Sequence, residues 1–167
     1  MKLDIFEISK CDGAKLPFSG NFEVPAQEFL GNLFGFPEPI TVEGEIVNQS
    51  GRFFMTATAK TLIESDCARC GKEISKPVTA SFGEVFTNVE TTDDEMISFE
   101  GTQIDIDDVV VNNLLENLPE KFLCKEDCKG LCPVCGKDRN TEDCNCSQDT
   151  GDLRMEIFRK LAEKDEV

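Results

Sequence analysis

The chain has 167 residues, enough for one domain of ordinary size or one domain with a small appendage. Its 17 Lys+Arg against 33 Asp+Glu give a formal charge of −16, which opposes long-range attraction to free nucleic acid and suits a basic partner. There is no His, which excludes Ser-His and Cys-His nucleophilic pairs and His metal ligands, and 13 Phe without Trp or Tyr point to rings that fill a core.

Residues 1–8 alternate like a strand, with Leu3 and Ile5 on one face. This start already carries acid and has no apolar run of signal-peptide type, and no stretch approaches the ~20 apolar residues that span a bilayer, so the expectation is a cytoplasmic protein without a membrane partner. Around Pro25 the pattern suggests a short helix through Phe29-Leu30 that ends at Gly31 or Gly35. Residues 40–48 and 52–66 read as strands rich in Val, Ile, Thr and Phe, separated by the turn cluster Asn48-Gln49-Ser50-Gly51. Residues 73–90 read as a strand pair or one long bent strand. Residues 91–103 are acidic and weakly patterned, as in an exposed loop.

A helix is predicted over 105–118, with Asp105 as N-cap, Asp107 and Asp108 in the first turn, and Ile106, Val110, Leu114 and Leu118 along one face before Pro119. A last helix is predicted over 152–164, with Leu153, Ile157, Phe158 and Leu161 on one face. Together these elements predict an α+β protein: a mainly antiparallel sheet or small β-barrel with a packed helix and a C-terminal cysteine-rich, metal-bound unit. The expected division is a β-rich core over 1–120 and a cysteine-rich region over 121–167, tied into one unit by Cys67 and Cys70.

Eight of the nine cysteines fall into close pairs: Cys67/Cys70, Cys124/Cys128, Cys132/Cys135 and Cys144/Cys146. In a reducing compartment such pairs point to metal ligands rather than disulfides. A Cys-x-x-Cys turn followed by a small residue presents two sulfurs to one ion, and both Cys67–Gly71 and Cys132–Gly136 have that form. A redox role for these turns would place the motif at the opening of a helix after a strand, whereas Pro133 and Gly136 suit a knuckle. The polar flanks argue against inert buried thiols. Two groupings satisfy the count. In the preferred one, Cys67, Cys70, Cys124 and Cys128 share one ion, while Cys132, Cys135, Cys144 and Cys146 close a local loop of about 15 residues at low entropic cost. In the other, the two Cys-x-x-Cys turns face each other. The expected cofactor is zinc, two ions in all; an all-thiolate set also accepts iron. Cys11 stands outside the pairs.

The block Cys124-Lys125-Glu126-Asp127-Cys128-Lys129-Gly130-Leu131-Cys132-Pro133-Val134-Cys135-Gly136, preceded by Leu118-Pro119, resembles the most distinctive segment of the YceD family, the large ribosomal RNA subunit accumulation proteins, in its Gram-positive-type form. Cys67-Ala68-Arg69-Cys70, Cys144-Asn145-Cys146 and Asp152-Leu153-Arg154 extend the resemblance, whereas residues 1–60 share only strand-like character. Gly71 stands where the family usually has Leu, and Leu153 where it has Pro; neither removes a proposed ligand. The resemblance implies a role in accumulation, processing or assembly of the large-subunit (23S-type) ribosomal RNA. Joined to the acidity, it suggests a non-catalytic zinc-binding factor whose partner is a ribosomal protein or a large-subunit assembly intermediate.

The alternative is direct rRNA contact through zinc knuckles, with Arg69, Lys125, Lys129, Lys137 and Arg139 as a basic rim. A third reading is a metal-dependent ribonuclease using Asp93-Asp94-Glu95 or Asp107-Asp108, although acids in a loop or at a helix start more often serve as solvated or capping groups.

Overall fold

A computed structural model describes residues 1–89, 96–119 and 121–146 of the chain. In chain order these form β1 (Lys2–Asp4), a 3-10 turn (Ile8–Lys10), β2 (Lys15–Phe22), β3 (Gln27–Phe29), β4 (Asn32–Phe34), β5 (Ile40–Gln49), β6 (Arg52–Asp66), β7 (Glu73–Thr87), β8 (Met96–Ser98), β9 (Gln103–Asp105) and α1 (Asp107–Glu116). The described chain is therefore mostly strand with one α-helix. The predicted helix over 152–164 lies outside the described residues.

The main sheet has the order β2-β5-β6-β7-β8. Its first four strands pair antiparallel and β8 joins β7 in parallel. The sheet is open, with β2 and β8 at its edges, rather than a closed barrel. Short pairs β1–β9 and β3–β4 stand beside it.

Period-two alternation explains the layering. In β6 Phe53, Met55, Ala57, Ala59 and Ile63 are buried, every one at an odd position. The register sets Val42 of β5 opposite Ala59 and Ile46 opposite Met55, so the apolar rows of neighbouring strands share one face. Ile104, Ile106, Val110 and Leu114 complete this core. Full burial of each large aliphatic side chain stabilises the fold by roughly 1.5–3 kcal/mol. The helix lies against β7, where Asn113 Nδ2 donates to Glu84 Oε1 over 2.8 Å and satisfies a half-buried carboxylate.

Three elements differ from the sequence expectation. The helix foreseen near Pro25 is instead the β3–β4 hairpin, whose loop Leu30-Gly31 has positive φ at both residues (50° and 76°), as a type I′ turn requires. Strand β2 was not foreseen; Pro17 is tolerated there because β2 is an edge strand. Helix α1 is shorter than 105–118, and Ile106 rather than Asp105 is its N-cap residue, although Asp105 Oδ1 still accepts from the Asp107 N–H at 3.3 Å. In addition, β8 falls within the stretch expected to be loop.

The chain divides into two compact units, Met1–Ala68 with Lys72–Cys124, and Arg69–Gly71 with the residues from Lys125 onward. The first holds all the described strands and α1. The described part of the second consists of turns and a single bridge between Leu131 and Asp138.

Candidate metal centres

The segment Cys67–Cys70 connects β6 to β7 along the chain. The Cys67 N–H donates to Lys72 O at 2.8 Å, and the Cys132 N–H donates to Lys137 O at 2.8 Å. Both cysteine pairs thus make the same turn, each followed by Gly-Lys. Gly71 (φ +65°) and Gly136 (φ +74°) take the left-handed conformation that brings the chain back, which a side-chain-bearing residue adopts only with strain.

Cys67, Cys70, Cys124 and Cys128 place their sulfurs within 4.8 Å of one another, and so do Cys132, Cys135, Cys144 and Cys146. A tetrahedral zinc with Zn–S bonds of about 2.3 Å needs sulfurs about 3.8 Å apart. Each group therefore has the donor set and spacing to hold one ion, and no disulfide joins any of the nine cysteines. The grouping is the one in which Cys132–Cys146 closes locally; the two Cys-x-x-Cys turns do not share a group. Cys11 is exposed and belongs to neither.

Hydrogen bonds to sulfur stabilise thiolate. The Cys124 N–H donates to Cys67 Sγ at 3.4 Å, and Asn140 Nδ2 donates to Cys128 Sγ at 3.4 Å. Backbone N–H groups of Cys135 and Val134 lower the Cys132 thiol to about 6. Its neighbours respond in the opposite sense. Cys146 is pushed up to about 12, first by the Cys135 side chain and then by burial, and Cys144 is raised, first by its hydrogen bond to Cys132. Four crowded sulfurs cannot all carry charge unless a cation sits among them.

The cations near the cysteines are largely engaged. Arg69 Nη1 donates to the carbonyls of Cys128 (2.7 Å) and Glu126 (3.3 Å), clamping the Cys124–Cys128 stretch. Lys125 lies 3.9 Å from Asp127, and Lys137 lies 3.1 Å from Glu142, whose hydrogen bond raises the lysine's pKa. Gly130 belongs to the same clamp: a Cβ there would sit 2.7 Å from Arg69 O. Sequence reasoning missed Asn140 and the carbonyl-binding role of Arg69. An Asn in a polar turn carries no signal for a sulfur partner.

Among the described residues, the two cysteine groups are the only gatherings of three or more Cys, Asp or Glu with metal-binding spacing. Asp107 and Asp108 lie in the first turn of α1, and Asp93, Asp94 and Glu95 lie outside the described residues. No described helix is long and apolar enough to cross a membrane.

Fold and site together define a mostly-β protein with two all-cysteine clusters, each able to hold a metal ion. Residues 55–163 match the family described as large ribosomal RNA subunit accumulation protein YceD, and the chain belongs to that family. Membership implies a role in the accumulation of the large ribosomal RNA. An uncharacterized protein of Mycobacterium bovis is 26% identical over 145 residues, covering 81% of this chain and 69% of the relative, and one of Mycobacterium tuberculosis gives the same figures. An uncharacterized protein of Mycobacterium leprae is 28% identical over 109 residues, covering 62% of this chain and 49% of the relative. No solved structure matches the chain.

Proposed function

We propose that this chain is a non-catalytic, zinc-binding cytoplasmic adaptor in large-subunit ribosomal RNA accumulation, and that it engages a basic ribosomal protein or an assembly intermediate containing one. The observation that carries this reading is the completeness of both cysteine groups. Four thiolates fill a tetrahedral shell, whereas a catalytic zinc keeps one position for water or substrate. The lack of His removes the commonest proton shuttle.

Charge favours a basic protein over bare RNA. Each four-thiolate zinc centre adds a net −2 to a chain already at −16. Such a field speeds encounter with a basic protein and opposes phosphate. Lys125 pairs with Asp127, Lys137 with Glu142, and Arg69 with backbone carbonyls, so three of the five rim cations face acids or carbonyls rather than standing open to phosphate.

Elemental analysis of purified protein should give two equivalents of zinc. Binding of individually purified large-subunit ribosomal proteins and of large-subunit rRNA fragments should then be measured by fluorescence anisotropy. At least one ribosomal protein should bind, more weakly as salt rises. Tight binding to free rRNA with no ribosomal protein bound overturns the adaptor reading, and cleavage of that RNA overturns the non-catalytic one.

A further inference from the structure

Leu30 occupies the first loop position of the β3–β4 hairpin, with φ of 50° and 85% of its surface exposed. A type I′ turn favours Asn or Gly at that position because both central residues need positive φ. Leucine is strained there and shows its apolar surface to water, so it contributes nothing evident to folding. Leu33, on the same hairpin, is 65% exposed. A strained residue that the fold does not need points to a contact outside the fold.

Beside this hairpin lies a groove of about 340 Å³. Its apolar lining comes from Phe29, Leu30 and Phe34 of the hairpin, Leu115 and Leu118 at the end of α1, and Phe122. The wall is firm: Phe34 and Phe122 are buried and meet edge to face, with ring centroids 6.1 Å apart. Exposed Asp66 and Glu116 also line the groove, and among the described residues no Lys or Arg does. Lys76 lies 5.6 Å over the Phe122 ring without entering the lining.

We infer that this groove, with Leu30 at its lip, docks a short amphipathic segment of a basic protein: apolar side chains enter between Leu30, Leu115 and Phe122, and flanking Lys or Arg meet Asp66 and Glu116. This rests on the adaptor reading above and adds where the partner sits. The surface is amphipathic in the sense complementary to such a segment, and the −16 chain repels an acidic one.

The test uses the full chain in its zinc-loaded form and the same individually purified large-subunit ribosomal proteins. Leu30→Asn relieves strain, so the free protein should melt at the same temperature or higher, while affinity for the bound ribosomal protein falls at least tenfold. Asp66→Asn with Glu116→Gln should weaken binding several-fold and flatten its salt dependence. A ribosomal protein that binds Leu30→Asn and the double carboxylate variant as tightly as wild type overturns the groove and leaves the adaptor reading standing. Binding of no ribosomal protein overturns both. Sedimentation showing a wild-type dimer that Leu30→Asn dissociates makes a second copy the occupant and overturns the inference.

Discussion

The side-chain amide of Asn140 donates to the sulfur of Cys128 across 3.4 Å, although Asn140 belongs to the loop between Cys135 and Cys144. Asp138 Oδ1 accepts from both the N–H and Nδ2 of Asn140, at 2.9 and 2.6 Å, and the Lys129 N–H donates to Asn140 Oδ1 at 2.9 Å. These bonds hold the amide with its Nδ2 toward the sulfur. Donors of this kind offset the surplus negative charge of a four-thiolate centre, and losing one typically lowers metal affinity 10–100-fold. Asn140→Ala should therefore weaken zinc at the Cys67/Cys70/Cys124/Cys128 group by about tenfold or more. Asn140→Asp, which replaces the donor with a carboxylate, should do so at least as strongly. Competition against a chromophoric chelator measures this, with circular dichroism reporting that the fold is kept. Equal affinity in all three proteins removes Asn140 from the centre.

Zinc loading should expel protons at neutral pH. In the metal-free protein Cys132, near 6, is thiolate at pH 7, whereas Cys144 and Cys146, both raised, remain thiols. The ion binds the deprotonated sulfurs, so these two must lose their protons and the apparent affinity must rise with pH through the neutral range. Calorimetry in buffers of different ionisation enthalpy counts the protons. Release of none, or an affinity that falls between pH 6 and 8, contradicts the assignment of this group as a single metal centre.

Metal removal should loosen residues 125–146 before it touches the sheet. Apart from the Leu131–Asp138 bridge, this stretch has no strand pairing among its described residues, and it exposes about half of both Leu131 and Val134. With so little buried apolar surface, closing the cysteine groups around an ion supplies much of its stability. A chelator should raise amide exchange at Cys132, Gly136 and Arg139, whose N–H groups bond within this stretch, while Ala57 and Ala59 in β6 stay protected. Exchange that is unchanged at the first three amides shows that the stretch holds its shape without metal.

The long strands are legible in the sequence because each buries one face: β6 alternates throughout, β5 does so except at Gly44-Glu45, and β7 is bounded by turn residues. The hairpin at Gln27–Phe34 is not legible. Leu30-Gly31 replaces the Asn-Gly that marks a type I′ turn, and Pro25 imitates a helix start. Strand β2 hides behind Pro17, which only its place at the sheet edge permits. At the metal centres the eight cysteines are legible from spacing alone. Which four converge is favoured by the short Cys132–Cys146 loop, and the structure has that grouping; spacing alone does not decide it, because the choice depends on how the chain folds between Cys70 and Cys124. Asn140 is silent in sequence for the same reason: its partner is set by the turn Asp138 makes, not by a spacing.

Glycines on two sheet ladders give the sharpest check of the strand packing. Gly44 of β5 faces Ala57 of β6, and a Cβ there would lie 2.3 Å from Thr56 O and 2.9 Å from Ala57 Cα. Both neighbours are backbone atoms in a central strand and cannot swing aside. Gly83 of β7 faces Thr56, and a Cβ there would meet Met55 O at 3.5 Å, an ordinary contact. Overpacking of this first kind costs roughly 1–3 kcal/mol, so Gly44→Ala should lower the melting temperature by about 2–12 °C for a chain of this size. Gly83→Ala should shift it little, since alanine fits the space and suits a strand no worse than glycine. Thermal melts of the two zinc-loaded variants decide the matter. If Gly83→Ala proves the more damaging, the close approach of β5 to β6 is wrong, and with it the register that places Val42 and Ile46 in the core.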